Sequence, residues 1–180
     1  MTFNTLLVGE GTLLILCAQI LLRHGHTIEA IVSTSKTIWE WAREQEIRCL
    51  RRLDGLPAAM DGRTVDYLFS IANLFVVPAR ILALPRLGAI NFHDGPLPRY
   101  AGLHATTWAI LNQETSHGVT WHEMRETVDA GDILQQRIFA LDPDETAFTL
   151  NRKCLTAGIE SFEELIKDLG AGMILSLIHI

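Results

Sequence analysis

Two side chains that could act on protons or hydrogen-bond an anion lie two residues apart in the stretch INFHDGPLPRYAG, residues 90–102. Asn91 carries a neutral amide and His93 an imidazole, and in an extended strand both would point to the same face. The amide can donate to a developing negative charge, and the imidazole titrates near neutral pH. Two glycines and two prolines follow within nine residues. The stretch therefore predicts a strand end with catalytic groups, followed by a constrained loop.

Asp129 is the candidate partner for this pair, in the stretch ETVDAGDIL at residues 126–134. An Asp-x-Gly sequence most often caps a turn, and a lone buried histidine is most often hydrogen-bonded within the core. Against these interpretations, open α/β sheets bind ligands at the carboxyl ends of their strands. A histidine beside an amide, with a carboxylate supplied from elsewhere, also fits general acid–base chemistry. The residues alone leave both interpretations open.

The elements that must position these residues alternate along the chain. Strands are predicted at 4–10, 27–34, 47–50, 65–71 and 88–93, and helices at 12–24, 37–45 and 105–111, with a turn and a short helix within 72–82. Such alternation indicates an α/β fold, here a Rossmann-like, doubly wound and mainly parallel sheet with helices on both faces. Strands near 117–126 and 132–142 would form an antiparallel or mixed edge, and a long amphipathic helix is predicted at 146–169.

Length and composition fit one domain of ordinary size. The chain has 180 residues, 48% hydrophobic and 20% charged, which are globular values. We expect a catalytic domain at residues 1–170 and an apolar tail at 171–180. The tail would be a truncation point or an expression scar, loosely attached to the domain.

Charge and cysteine usage limit the partners and the compartment. The net charge of −6 argues against a nucleic-acid surface, which usually needs a basic patch. Three cysteines without metal spacing favour free thiols in a reducing cytoplasm. The apolar run at 13–22 is too short to span a bilayer and lacks a basic region before it, so neither a membrane span nor a signal peptide is expected.

Two other kinds of site are disfavoured. The stretch GEGTLL at 9–14 is half of a dinucleotide fingerprint, but Leu14 replaces the third glycine and no carboxylate ends the second strand. A tight strand-to-helix turn, which the glycines permit, explains this stretch better than a dinucleotide site does. His122 and Glu123 are adjacent, so their side chains should point to opposite faces of a strand, and no zinc spacing is present. No metal site is expected.

Taken together, the stretches INFHDGPLPRYAG, HGVTWHEM and VDAGDIL resemble the 10-formyltetrahydrofolate-dependent formyltransferases. Asn91-Phe92-His93 matches the family's Asn-x-His strand end, and Asp129-Ala130-Gly131 matches its Asp-x-Gly turn. Gly118-Val119-Thr120 lies between them, and the separation of His93 and Asp129 agrees with the family's spacing. The resemblance covers essentially the whole chain. The family's loop usually reads His-x-Ser-Leu-Leu-Pro, whereas Gly95-Pro96 replaces Ser-Leu here, which puts the fine shape of the substrate side in question.

The resemblance implies a set of site residues. The catalytic residues would be Asn91 as oxyanion donor, His93 as proton carrier and Asp129 as its orienting carboxylate. A folate slot would involve Phe69, Ile71, Asn73, Leu74, Val76, Val128 and Asp132. The substrate side would be shaped by Gly95, Pro96 and Leu97.

The resemblance also implies a cosubstrate and partners. The formyl donor would be 10-formyltetrahydrofolate, used without a metal, and the acceptor an amine. The stretches FSIANLFVVP and HDGPLPRYAGLHATTWAI look most like formyltransferase domains of nonribosomal peptide or mixed peptide–polyketide synthases. An aminoacyl group on a carrier protein, or downstream synthase domains, would then be the partner. The alternatives are a methionyl-tRNA or sugar-amine formyltransferase and a non-catalytic folate-binding domain.

Overall fold

The computed structural model describes residues 1–173, which form seven β-strands and six α-helices. The strands are β1 (Asn4–Gly9), β2 (Thr27–Val32), β3 (Cys49–Leu50), β4 (Val65–Ile71), β5 (Pro85–His93), β6 (Ser116–Glu123) and β7 (Ile133–Ala140). The helices are α1 (Gly11–Arg23), α2 (Lys36–Glu44), α3 (Leu56–Met60), α4 (Ala79–Leu82), α5 (Ala105–Leu111) and α6 (Ala147–Gly170), with a 3-10 turn at Leu53–Gly55.

All seven strands join one sheet in the order β3-β2-β1-β4-β5-β6-β7. The first five strands pair in parallel, whereas β6 runs antiparallel to both β5 and β7. This confirms the predicted Rossmann-like sheet with an antiparallel edge. The edge strand predicted at 47–50 is shorter than expected, since only Cys49 and Leu50 pair with β2.

The sheet separates two hydrophobic clusters. The larger contains side chains of α1, α2 and α6 packed on residues such as Phe69, Phe92 and Trp121. The smaller contains α3 and Ile81 of α4, packed on Leu68 and other strand residues. Because side chains alternate along a strand, Asn91 and His93 point away from the face that carries Phe92. They therefore lie on the face with the smaller cluster.

The turn between β1 and α1 explains the glycines at its start. A Cβ atom on Gly9 would lie 1.8 Å from the carbonyl oxygen of Ile71, so only glycine allows β1 to approach β4 there. The next residue, Glu10, turns its carboxylate towards the β2–α2 loop, where it accepts hydrogen bonds from the backbone N–H groups of Thr34 and Ser35. This matches the interpretation of the stretch as a structural turn.

The long C-terminal helix begins with a capping box, in which Thr146 and Thr149 hydrogen-bond each other's backbone N–H groups. The helix ends at Gly170. Of the apolar tail expected at 171–180, residues 174–180 lie outside the described residues. No helix within residues 1–173 is long and apolar enough to cross a membrane.

Candidate active site

The pairing of β5 with β6 places a second histidine beside the predicted pair. Asn91 lies opposite His122 and His93 lies opposite Thr120 in the antiparallel register. The side chains of Asn91 and His122 are in contact, with Nδ2 of Asn91 3.2 Å from Nε2 of His122. The amide of Asn91 and the imidazoles of His93 and His122 thus lie on one face of the sheet, near the carboxyl end of β5.

His93 is held from two sides. Its Nε2 donates to the backbone carbonyl of Tyr100 at 2.7 Å, because a carbonyl oxygen only accepts. Its Nδ1 faces the Oδ2 atom of Asp129 at 3.7 Å. The side chains of His93 and Asp129 are each only 7% exposed, so the two groups meet in a nearly enclosed cleft. A separation of 3.7 Å is slightly longer than a hydrogen bond, so a small closure of the cleft would bring the two groups into direct contact.

Asp129 reaches the cleft from the loop between β6 and β7. Its backbone adopts the left-handed conformation, with φ of 55°, which aspartate tolerates better than most residues. Its Oδ2 accepts a hydrogen bond from the backbone N–H of Gly102 at 2.8 Å. Its Oδ1 lies 3.5 Å from Nε2 of His122. The carboxylate is therefore fixed between two imidazoles and a backbone donor.

Gly131 makes this loop geometry possible. A Cβ atom at position 131 would lie 1.9 Å from the carbonyl oxygen of Glu123. That approach closes the base of the loop, where the N–H of Glu123 also donates to the carbonyl of Asp132. The Asp-x-Gly sequence thus forms a turn, and this turn places the Asp129 side chain in the cleft.

The electrostatics of the cleft favour an ionised Asp129. Burial alone would raise the pKa of its carboxyl, but the close contact with His122 and the hydrogen bond from the Gly102 N–H act in the opposite direction, as does the nearby His93. The net result is a pKa below the usual aspartate value. The carboxyl of Asp129 is thus ionised over the neutral pH range.

His122 links Asn91 to Asp129. Its Nδ1 donates to the backbone carbonyl of Glu123 at 2.9 Å, so the lone pair of Nε2 in the neutral ring accepts from the Asn91 amide, and Oδ1 of Asp129 lies 3.5 Å from the same nitrogen. Because an amide nitrogen carries two hydrogens, Asn91 keeps one N–H for a ligand when the other is directed at His122. The site can therefore offer the N–H of Asn91 to an anion and the carboxylate of Asp129 to an acidic proton within the same cleft.

Side chains of β6 and β7 hold the loop after His93 through hydrogen bonds to its backbone. Thr120 donates its hydroxyl to the carbonyl of Gly95 at 2.7 Å and accepts from the N–H of Leu97 at 3.2 Å. Gln136 on β7 donates to the carbonyl of Leu97 at 2.8 Å. Gly95 and Leu97, both expected on the substrate side, are buried, whereas Pro96 is partly exposed. Of these three residues, only Pro96 is therefore accessible from outside the loop.

Two of the residues expected in a folate slot face elsewhere. Phe69 and Ile71 are fully buried on the opposite face of β4, where the ring of Phe69 meets that of Phe162 with centroids 5.2 Å apart. The expectation that the Phe69 and Ile71 side chains take part in the slot is therefore wrong, because both belong to the core on the other face of the sheet. β4 is buried on both faces, so hydrophobicity gave no indication of which side chains face the cleft.

The loop after β4 supplies the remaining candidates. Asn73 is engaged within that loop, since it donates to Ser70 Oγ and to the carbonyl of Phe75 and accepts from the N–H of Phe75. Three other residues expected in the slot have exposed apolar side chains: Leu74, Val76 and Val128. Asp132 lies at the base of the loop that carries Asp129. Asn73 thus shapes the loop, and the exposed apolar groups are the ones free to contact a ligand.

Several groups in the cleft were missed from the sequence. The sequence suggested only a metal-binding role for His122. Thr120 and His122 lie two residues apart on one strand, so their side chains share a face. That spacing could have indicated that His122 lies on the catalytic face. The Tyr100 carbonyl and the Gly102 N–H are backbone groups, which no residue type reveals. Within residues 1–173, no group of three or more His, Cys, Asp or Glu side chains is arranged to hold a metal ion.

Comparison with known proteins identifies the family. The family model described as formyl transferase matches residues 51–166, which include the whole cleft. The methionyl-tRNA formyltransferase of Geobacter metallireducens is 35% identical over 107 residues, covering 59% of this chain and 34% of that protein. The chain thus spans about a third of the length of this curated relative.

Solved structures share the fold. An N-formyltransferase from Helicobacter canadensis, solved with folinic acid and dTDP-3-aminofucose, has a TM-score of 0.82 at 20% identity over 96% of this chain and 66% of that one. A formyltetrahydrofolate deformylase from Pseudomonas syringae pv. tomato has a TM-score of 0.85 at 15% identity over 99% of this chain and 64% of that one. With the match to the family model, this shows that the chain belongs to the formyl transferase family.

Proposed function

We propose that this chain transfers a formyl group from 10-formyltetrahydrofolate to an amine. The observation that carries the proposal is the convergence of Asn91, His93 and Asp129 on one cleft in a chain of this family. The full set of polar groups disfavours a non-catalytic folate-binding domain, because binding a pterin does not require a buried carboxylate between two imidazoles.

The reaction is an acyl transfer. The amine nitrogen forms a bond to the formyl carbon, which gives a tetrahedral intermediate with a negatively charged oxygen. The bond from that carbon to N10 of the folate then breaks, and N10 takes up a proton as tetrahydrofolate leaves. The enzyme must stabilise the oxyanion and move one proton from the attacking amine to the leaving nitrogen.

Asn91 is suited to the first task and the histidine–carboxylate pair to the second. The N–H of Asn91 that is not directed at His122 can donate to the oxyanion, and such a donor contributes about 2.7–4 kcal/mol. Asp129, ionised at neutral pH, can accept the proton of the amine. Nδ1 of His93, which faces Asp129 at 3.7 Å, can carry that proton onwards.

The folate donor is supported by the relatives and by the loops around the cleft. The Helicobacter canadensis enzyme was solved with folinic acid, and a sugar 3N-formyltransferase in the presence of 5-N-formyl-THF shares this fold, with a TM-score of 0.83 at 19% identity over 99% of this chain and 66% of that one. Here, Leu74, Val76 and Val128 are exposed on the loops next to Asn91 and Asp129. These apolar side chains would pack on the pterin once it is bound.

For the acceptor, we propose an aminoacyl group on a carrier protein, supported by the likeness of the stretch HDGPLPRYAGLHATTWAI to synthase formyltransferase domains. A tRNA acceptor is disfavoured by charge, since the chain has a net charge of −6 and Arg125 is the single Lys or Arg within residues 100–136. The three free cysteines favour a reducing compartment such as the cytoplasm.

A panel of acceptors tests the proposal. Formyl-labelled 10-formyltetrahydrofolate would be mixed with the protein and with carrier-bound aminoacyl groups, free amino acids, nucleotide-linked amino sugars or methionyl-tRNA. We expect label in the carrier-bound amine, appearing at least about a hundredfold more slowly when Asn91→Ala replaces the native protein. Label released only as formate would mean that water is the acceptor, as in a deformylase, and would overturn the proposal.

A further inference from the structure

A buried histidine on β6 has no part in the chemistry described so far. His117 is 1% exposed, and its Nε2 donates to the backbone carbonyl of Asp94 at 2.8 Å. Its Nδ1 is buried and has no hydrogen-bond partner within residues 1–173. A buried polar atom without a partner is costly, so packing alone does not explain a histidine at this position.

His117 contacts the loop that follows His93 at two points, Asp94 and Tyr100. Asp94, whose carbonyl it binds, directly follows His93. The ring centroids of His117 and Tyr100 are 6.1 Å apart. The backbone carbonyl of Tyr100 accepts the hydrogen bond from His93 Nε2. One buried ring therefore holds both the segment that carries the His93 imidazole and the segment that orients it.

The His93 imidazole has little freedom within this frame. A Cβ atom on Gly95 would lie only 2.9 Å from His93 Nε2, so the loop backbone already packs closely against the ring. A shift of the loop would move the imidazole or break its bond to Tyr100. Displacement of a catalytic group by about 1 Å can lower the rate about a hundredfold.

The surroundings of His117 keep it neutral, with its hydrogen on Nε2. Burial lowers the pKa of His117, and the nearby His93 acts in the same direction. The Asp94 carbonyl and the charges of Asp94 and Glu114 oppose this without reversing it. The His117 ring also packs against the ring of Phe139 on β7, with the two centroids 6.2 Å apart. A single donated hydrogen bond, to Asp94, is therefore its specific polar contribution.

We propose that His117 is a positioning residue, which fixes the His93 imidazole by holding the Asp94 carbonyl and the Tyr100 segment together. Its effect on turnover depends on the formyl transfer proposed above. Its effect on His93 itself does not depend on that function.

Two variants separate the hydrogen bond from the bulk of the ring. His117→Gln keeps an N–H donor that can reach Asp94, whereas His117→Phe keeps an aromatic ring without a donor. The matched controls are His26→Gln and His26→Phe. His26 is also a buried histidine, 6% exposed, but it stacks on Phe3 and accepts from the Phe3 N–H. We expect His117→Phe to lower kcat at least about tenfold, with KM for the folate donor unchanged. His117→Gln should recover most of the rate, and neither His26 variant should change kcat.

A second readout follows His93 directly, in protein with labelled histidine. The NMR chemical shifts of the His93 ring should change in His117→Phe, stay near the native values in His117→Gln, and be unaffected by the His26 variants. If the native protein transfers no formyl group, this readout still tests the proposal. Unchanged His93 ring shifts in His117→Phe would overturn it, as would equal losses in the Gln and Phe variants. If His117→Phe does not fold, His117→Met provides the same test.

Discussion

The Oδ2 atom of Asp129 lies 3.7 Å from Nδ1 of His93, although the two residues reach the cleft from separate segments. The loop between β6 and β7 carries Asp129 in a left-handed conformation. The hydrogen bond from Gly102 and the contact with His122 hold the carboxylate in place. Backbone strain at a site of this kind is maintained only where the surrounding structure enforces it, which fits a group placed for chemistry.

Replacing the carboxylate tests its role as proton acceptor. Asp129→Asn keeps the shape of the side chain but cannot take up the amine proton, so we expect formyl transfer to fall at least about a hundredfold. Folate binding, measured by calorimetry with a folate analogue, should persist. Asp144→Asn, at an exposed aspartate, is the control and should leave turnover unchanged. Native turnover in Asp129→Asn would show that the carboxylate is not needed.

Removal of the donor or the imidazole should also act on the chemical step. Asn91→Ala and His93→Ala should each lower kcat at least about a hundredfold, the range for an oxyanion donor or a general acid–base. Steady-state kinetics with the exposed Asn151→Ala as control would check this. If Asn91→Ala kept near-native kcat, the oxyanion would have to be stabilised by another group.

Gly131→Ala should affect both stability and catalysis. The added Cβ atom would meet the Glu123 carbonyl at 1.9 Å, and relieving that clash should cost about 1–3 kcal/mol of unfolding free energy and move Asp129. Urea denaturation would measure the loss. Gly88→Ala on β5 is the matched control, because an added Cβ there meets nothing within 4 Å. Equal unfolding free energies in the two variants would contradict the close approach.

Glu10 should contribute to the pH dependence of stability. Burial raises the pKa of its carboxyl, but the Thr34 and Ser35 N–H groups and the Ser33 and Thr34 hydroxyls together bring it below the usual glutamate value. A depressed carboxyl pKa stabilises the fold above the unfolded-state value of about 4.3 and loses that contribution as the pH falls below it.

The measurement is chemical denaturation from pH 7 to pH 3. Glu10→Gln should be less stable than the native chain at pH 7, and the difference should shrink as the pH approaches 3. The exposed Glu126→Gln should follow the native curve throughout. A Glu10→Gln deficit that stayed constant with pH would mean that the ionised carboxylate is not the source of the stability.

The sequence predicted the fold well, and the reasons are physical. β4 and α5 have the predicted bounds, because alternating turn signals and apolar runs define both ends. Asn91 and His93 share a face because they lie two residues apart on a strand. What could not be predicted depends on register and backbone. The contact of His122 with Asn91 follows from the β5–β6 pairing, and the Tyr100 carbonyl and the Gly102 N–H carry no signature in the residue types.

The folate side was harder to predict for a different reason. β4 is buried on both faces, so its apolar run does not distinguish Phe69 and Ile71, which lie in the core, from side chains that face the cleft. Asn73 is polar because the loop needs its hydrogen bonds, as the contacts with Ser70 and Phe75 show. Residue type alone could not separate this structural role from a ligand contact.

Single-turnover transfer is the most direct test of the central claim, that Asn91, His93 and Asp129 move a formyl group from folate to an amine. The protein, in excess over formyl-labelled 10-formyltetrahydrofolate, would be mixed with the carrier-bound aminoacyl acceptor and quenched over time. The account predicts that label appears in the acceptor amine as tetrahydrofolate forms. Each of Asn91→Ala, His93→Ala and Asp129→Asn should slow this step at least about a hundredfold while still binding folate. Transfer at the native rate by any one of these variants would contradict it.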